Sequence, residues 1–410
     1  MKNRGIVGLL IVMAAGALAQ AADDWPQWGG PDRDFTVEPR ALSRDWGADG
    51  PPRLWSRPLG GGFSSIVGDG SNLYTMYRDG DEEFVIALDA KSGETRWTHR
   101  YPAPIPESPG LSTEFGRGPN STPLLAGGKI VTLGFTGHLR CLDAKGNLLW
   151  SHDLGRDFDV KLPYFGHATS PLALAVGGTV VVVAGGVLAF DLGSGKTAWQ
   201  NREFEGSYGS PRVVTAGGKQ QIVTPVAGHL AAFDPQTGKT LWSQELKNQW
   251  GTILTSPVVD DAGRVFISAV GVGSILVDPA GADADAQRLW KTDATQIGHS
   301  NAVRSGNWVF ASIGETVGFV SATSLQDGAQ AWKERDFSQA NFLRVGDDFL
   351  LLDFEGQLAL VRLDGQGMEV VTRASINDAK TWTPPTLLGT TLYVRDESRI
   401  TAFDLGVKTP

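Results

Sequence analysis

Two histidines stand in short polar and aromatic segments, Tyr164-Phe165-Gly166-His167 and Gln296-Ile297-Gly298-His299-Ser300-Asn301. A neutral imidazole can act as a base or ligate a metal. Neither segment offers a carboxylate to complete a ligand set, so no metal is expected there. Similar segments are Gly116-Arg117-Gly118-Pro119-Asn120, Gly206-Ser207-Tyr208-Gly209, Gln249-Trp250-Gly251-Thr252, Ser338-Gln339-Ala340-Asn341, Lys380-Thr381-Trp382 and Gly62-Phe63-Ser64-Ser65. If the fold gathers them, they make one concave mouth of convergent polar and aromatic groups, which is the usual form of a ligand site. The candidate ligand- or partner-binding residues are Arg117, Asn120, His167, Tyr208, Trp250, Thr252, His299, Asn301, Gln339, Asn341, Lys380 and Trp382.

Other reactive residue types read as structural. Cys141 takes a position held elsewhere by Ala87, Ala189, Ala232 and Ala402, as a small core residue would. His138 and His229 lie in matching Gly-His-Leu hairpins, and His99 and His152 follow tryptophans on outer strands. The acidic runs Asp79 to Glu83 and Asp283 to Asp285 read as solvated hairpin tips, since the first lacks calcium-loop spacing. No P-loop, GxSxG elbow, HExxH or dinucleotide fingerprint occurs. No catalytic set is recognisable, and a non-enzymatic protein is expected.

A repeat would gather the segments. Ala87-Leu88-Asp89 runs through Gly93 to Trp97. The pattern returns from Cys141-Leu142-Asp143 to Trp150, from Ala189-Phe190-Asp191 to Trp199, and from Ala232-Phe233-Asp234 to Trp242. Weaker copies end at Trp290 and Trp332, one near Leu360 to Asp364 lacks its Trp, and Ala402-Phe403-Asp404 closes the series. The tryptophans 55, 97, 150, 199, 242, 290 and 332 are separated by 42, 53, 49, 43, 48 and 42 residues. A period in the forties built of strands predicts a β-propeller. A small or polar residue before Pro opens most units, as in Thr122-Pro123, Ser170-Pro171, Ser210-Pro211, Ser256-Pro257 and Thr383-Pro384. Pro is tolerated at the first residue of a strand.

The repeat predicts an all-β, eight-bladed propeller of four-stranded antiparallel blades, with seven blades as the alternative. The last unit lacks an outer strand, and Arg53-Leu54-Trp55-Ser56 has no unit before it. Residues 53–58 are therefore expected to close the ring and remove its free edges.

Composition agrees. The chain has 410 residues, 52 of them Gly, and 20% charged side chains. The glycine excess suits many tight turns and argues against long helices. A net charge of −9 without a basic cluster disfavours nucleic acid and anionic membranes. One Cys allows no internal disulfide and no CxxCH haem site. Residues 1–21 have the basic start, short apolar run and small-residue end of a signal peptide without a lipobox. Export to the periplasm or medium is expected, with no integral membrane segment after cleavage. Residues 22–50 read as an N-terminal strap and 51–410 as the propeller, expected as a monomer.

The Asp-to-Trp stretches resemble the repeat of quinoprotein-type propellers over roughly residues 53–410, and Asp24-Trp25-Pro26-Gln27-Trp28-Gly29-Gly30-Pro31 resembles the strap of secreted bacterial members. The resemblance to BamB-type propellers implies a non-enzymatic scaffold for a protein or small ligand, with no cofactor. The resemblance to pyrroloquinoline-quinone (PQQ) alcohol dehydrogenases implies instead an oxidoreductase using PQQ with calcium on an alcohol or sugar. Against this, the adjacent Cys pair common in those enzymes is missing. Polysaccharide binding is a third reading, from the mouth aromatics.

Overall fold

The computed structural model describes residues 24–107, 111–113, 116–175, 178–280, 286–314, 318–377 and 379–407. The proposed signal peptide, the run Asp283 to Asp285 and hairpin residue Gly177 lie outside these residues.

Eight four-stranded antiparallel sheets form the ring, so the eight-blade count holds and the seven-blade alternative falls. From innermost to outermost strand, blade 1 runs from Val67–Gly68 to Thr95–Pro102 and blade 2 from Leu124–Ala126 to Leu148–Asp153. Blade 3 runs from Leu172–Leu174 to Thr197–Asn201, and blade 4 from Arg212–Ala216 to Thr240–Glu245. Blade 5 runs from Val258–Val259 to Gln287–Thr292, and blade 6 from Ile297–Ser305 to Gln330–Glu334. Blade 7 runs from Ala340–Val345 to Met368–Ser375. Blade 8 runs from Thr386–Leu388 to Arg399–Asp404, and Arg53–Pro58 pairs with that last strand as its outer edge. The ring therefore closes as expected. Leu154–Phe158, a single helical turn, follows blade 2.

The hydrophobic clusters lie between successive blades. One joins Leu133 and Leu139 of blade 2 to Val182 and Phe190 of blade 3. The repeat tryptophans lock this arrangement from outside. Each Asp opens an Asx-turn, as where Asp191 Oδ1 accepts from the Ser194 amide at 2.7 Å. The turn ends on a glycine with positive φ, and the preceding blade's indole covers it. Trp55 lies on Gly93, Trp97 on Gly146, Trp150 on Gly195 and Trp199 on Gly238. The same indole N–H donates into the turn: Trp55 to the Ala90 carbonyl at 3.0 Å and Trp150 to that of Leu192 at 3.1 Å. Trp242 departs from this pattern and donates to Gln221 of its own blade.

One acidic expectation fails. Glu83 is no solvated tip; it is fully buried. Its carboxylate accepts from Arg78 at 2.8 Å, the Tyr101 hydroxyl at 2.8 Å and the Phe135 amide at 2.9 Å. Three donors to one carboxylate make a buried charge tolerable.

The strap enters the central channel. Trp25 bridges Gly68 of blade 1, and the Pro26 carbonyl accepts from the Leu125 amide of blade 2. Thr36–Val37 adds a parallel strand to Ala340–Val345 of blade 7. The chain then leaves beneath blade 8, where Leu42 bridges Gly406. A segment carrying Trp25, Trp28 and Phe35 must bury its rings, and the channel supplies that place.

Candidate functional site

Ring geometry brings one connector from each blade junction to the same channel. Phe63, Asn120, Phe165, Tyr208, Leu254 and Trp382 come from six different connectors, His299 and Asn341 from the starts of the innermost strands of blades 6 and 7, and all eight line one cavity of about 220 Å³. The strap residues Trp28, Arg33, Asp34 and Phe35 form its floor.

Six of the twelve candidate residues line this cavity: Asn120, Tyr208, His299, Asn301, Asn341 and Trp382. Trp382 is their hub. Its ring stacks on His299 at 5.4 Å and 7°, and meets Phe63 at 5.4 Å and Phe354 at 4.9 Å. Asn341 donates to the Trp382 carbonyl at 3.0 Å and accepts from the Asn301 amide at 3.2 Å. Asn301 in turn bonds the Phe342 backbone in both directions, at 2.8 Å each. The Tyr208 hydroxyl accepts from the Phe165 amide at 3.1 Å. These amides and rings are held by the frame, so the wall is preformed.

The other six do not reach the cavity. Arg117 is exposed, and its carbonyl accepts from Arg78 at 2.9 Å. Trp250 is 58% exposed on the rim, and the Thr252 backbone is bonded to Asn248. Gln339 caps the Gly314 carbonyl, and Lys380 lies 5.7 Å over the Phe354 ring. His167 is buried and faces a second cavity beside blade 3, with Asp159, Lys161 and Glu205. Burial pushes its imidazole down to about 4, so it is a neutral side chain and a weak base at ordinary pH. Spacing alone placed these residues near the mouth, but their side chains do not line the cavity itself.

Sequence reasoning missed the floor. Arg33 is 7% exposed. Its Nη atoms donate to the carbonyls of Pro171 at 2.9 Å and Ser170 at 3.2 Å, and to Gln27 at 3.1 Å. Arg33 and Phe35 both adopt positive φ, of 55° and 57°, which non-glycine residues seldom do. Arg212 of blade 4 lies 3.5 Å from Asp34. Burial, and then the like charge of Arg212, brings Arg33 down to about 9, while burial also lowers Arg212 and raises Asp34. The signal for this floor was present in the strap: an Arg-Asp pair inside a run of Trp and Phe, which has to be buried together.

The residues present do not fit the calcium that accompanies PQQ in the dehydrogenases. Among the described residues that line it, the cavity has a single carboxylate, Asp34, and it is already beside Arg212. Among the described residues no three His, Cys, Asp or Glu side chains group as metal ligands. Cys141 is fully buried in the core, with its thiol pushed up to about 11 by burial.

The fold and its repeat define a propeller of the quinoprotein-like class. Within that class, the sequence matches the family described as outer membrane protein assembly factor BamB over residues 37–202 and 85–334, and the chain belongs to this family. Solved structures share the fold at low identity. BamB from Moraxella catarrhalis is 18% identical with a TM-score of 0.61, over 86% of this chain and 99% of that one. A europium-containing methanol dehydrogenase is 11% identical with a TM-score of 0.71, over 94% and 98%. The quinohemoprotein alcohol dehydrogenase ADHIIG from Pseudomonas putida HK5 is 12% identical with a TM-score of 0.66, over 95% and 81%. None of the curated protein sequences matches the chain. Among the described residues no helix is long and apolar enough to cross a membrane.

Proposed function

We propose that this protein is an exported, non-enzymatic binding propeller that holds a protein or small ligand at the mouth of its central channel. One observation carries the reading: residues from all eight blade junctions converge on one preformed cavity, closed below by the strap and walled by amides and aromatic rings. Such a wall binds and orients. No cluster of three metal-ligand side chains forms among the described residues. Family membership supports a scaffold role, since the family is described as an assembly factor. The rim adds exposed aromatics, Tyr164 at 52% and Trp250 at 58% exposure, of the kind enriched in protein interfaces.

Photo-crosslinking in the cell tests this. A crosslinker at Tyr164 or Trp250 should trap the same partner, which a crosslinker at Leu148 on the outer strand of blade 2 does not. Equal products from all three positions would remove the mouth as the binding face. Dye-linked alcohol oxidation after adding PQQ and Ca²⁺ would replace the reading with the dehydrogenase one.

A further inference from the structure

We propose that the floor of the central cavity binds a small aromatic monocarboxylate, with its carboxylate against Arg33. This deepens, and rests on, the reading of the channel as a binding site.

The argument starts from charge. Among the described residues, the groups lining the cavity that can carry charge near neutral pH are Arg33, Asp34, Arg212 and His299. Asp34 lies against Arg212, and no carboxylate pairs with Arg33 among the described residues. Arg33 is nonetheless buried, and its Nε has no hydrogen-bond partner. A buried cation without a counter-ion is strongly unfavourable, and removing it from water is offset only by a partner that also satisfies its N–H groups. The Nη atoms are tied to carbonyls and to Gln27, which holds the guanidinium plane in one orientation. A carboxylate accepts in that plane, with a fork geometry that a halide or a neutral amide does not reproduce.

Among the described residues that line the floor, two arginines face one carboxylate, Asp34, and this surplus of one positive charge favours a monoanion over a dianion. The body of the ligand follows from the walls. Trp28, Phe35, Phe63, Phe165 and Trp382 surround the space above the floor, and flat apolar groups pack well on such rings. A volume of about 220 Å³ lies below the roughly 300–1,000 Å³ of pockets for drug-sized ligands, so the ligand is small.

Calorimetric titration of the full-length chain with benzoate, benzamide and benzylamine tests the proposal, with quenching of indole fluorescence as a second signal. Benzoate should bind at least ten-fold more tightly than benzamide, and benzylamine should not bind. R33M should lose that discrimination and R33K should keep part of it. Equal affinities for benzoate and benzamide, or no benzoate heat at millimolar concentration, would overturn the proposal. The wild-type comparison decides the matter even if R33M does not fold. Loss of this site with rim crosslinking intact removes the carboxylate proposal alone; loss of both removes the mouth reading as well.

Discussion

The backbone N–H of Ser170 donates to the hydroxyl of Ser210, its counterpart one blade further round, at 3.0 Å. The same bond runs from Ser65 to Thr122 at 3.2 Å, from Thr122 to Ser170 at 3.1 Å and from Ser210 to Ser256 at 2.9 Å. Asn301 and Asn341 continue it at 3.2 Å with an amide oxygen as acceptor. The small polar residue that precedes Pro in the repeat is therefore an inter-blade clasp around the channel, and Pro only explains the position beside it.

The clasp should be measurable in S210A. The Ser170 amide is buried, and losing its acceptor leaves a donor unsatisfied, at about 1–3 kcal/mol. Urea denaturation of S210A should show that loss. A change within about 0.5 kcal/mol would mean that the bond is dispensable.

The blade lock should be larger. Trp150 is 9% exposed, covers Gly195 and donates to Leu192. W150A should lose about 3–5 kcal/mol, as large aromatic truncations in cores do. G195A should also destabilise, by more than the ~1 kcal/mol of an ordinary glycine effect. Its Cβ would lie 2.6 Å from the indole at a φ of 72°. Thermal melts of the two variants decide this; an unchanged G195A would contradict the indole–glycine contact.

His167 should make stability depend on acid. Its folded value of about 4 lies below the ordinary ~6.5 of an exposed imidazole, so the unfolded chain takes up the proton first. Nothing is lost above about pH 6.5, and stability falls as the pH drops from there towards 4. H167Q should therefore narrow the gap between unfolding midpoints at pH 7.5 and 4.5. A gap as wide as the wild type's would assign the acid sensitivity to other groups.

The ring was legible because its determinants are local and repeated. Asp191, Gly195 and Trp199 mark a turn and a strand within a few residues, and their recurrence counts the blades. Even the closing strand at Trp55 could be placed, since an ownerless outer strand and a blade lacking one must meet. The site was legible only in part. Asn301, Asn341 and Trp382 reach the cavity, whereas His167 and Trp250 come from equivalent connectors and do not. Connector position is periodic, but the direction of a side chain within a connector is not.

The sequence by itself determined the architecture, the number of units and the way the ring closes, because each rests on short-range turn chemistry and on one strand-length pattern. Tertiary structure alone decided what fills the channel. Nothing local to Arg33 says that its guanidinium meets carbonyls of Ser170 and Pro171, some 137 and 138 positions along the chain. That contact exists because eight blades leave a hole of fixed width and an aromatic strap has nowhere better to bury its rings. The charge stranded on the floor is a consequence of that burial, and it is where the chemistry of this protein is most open to test.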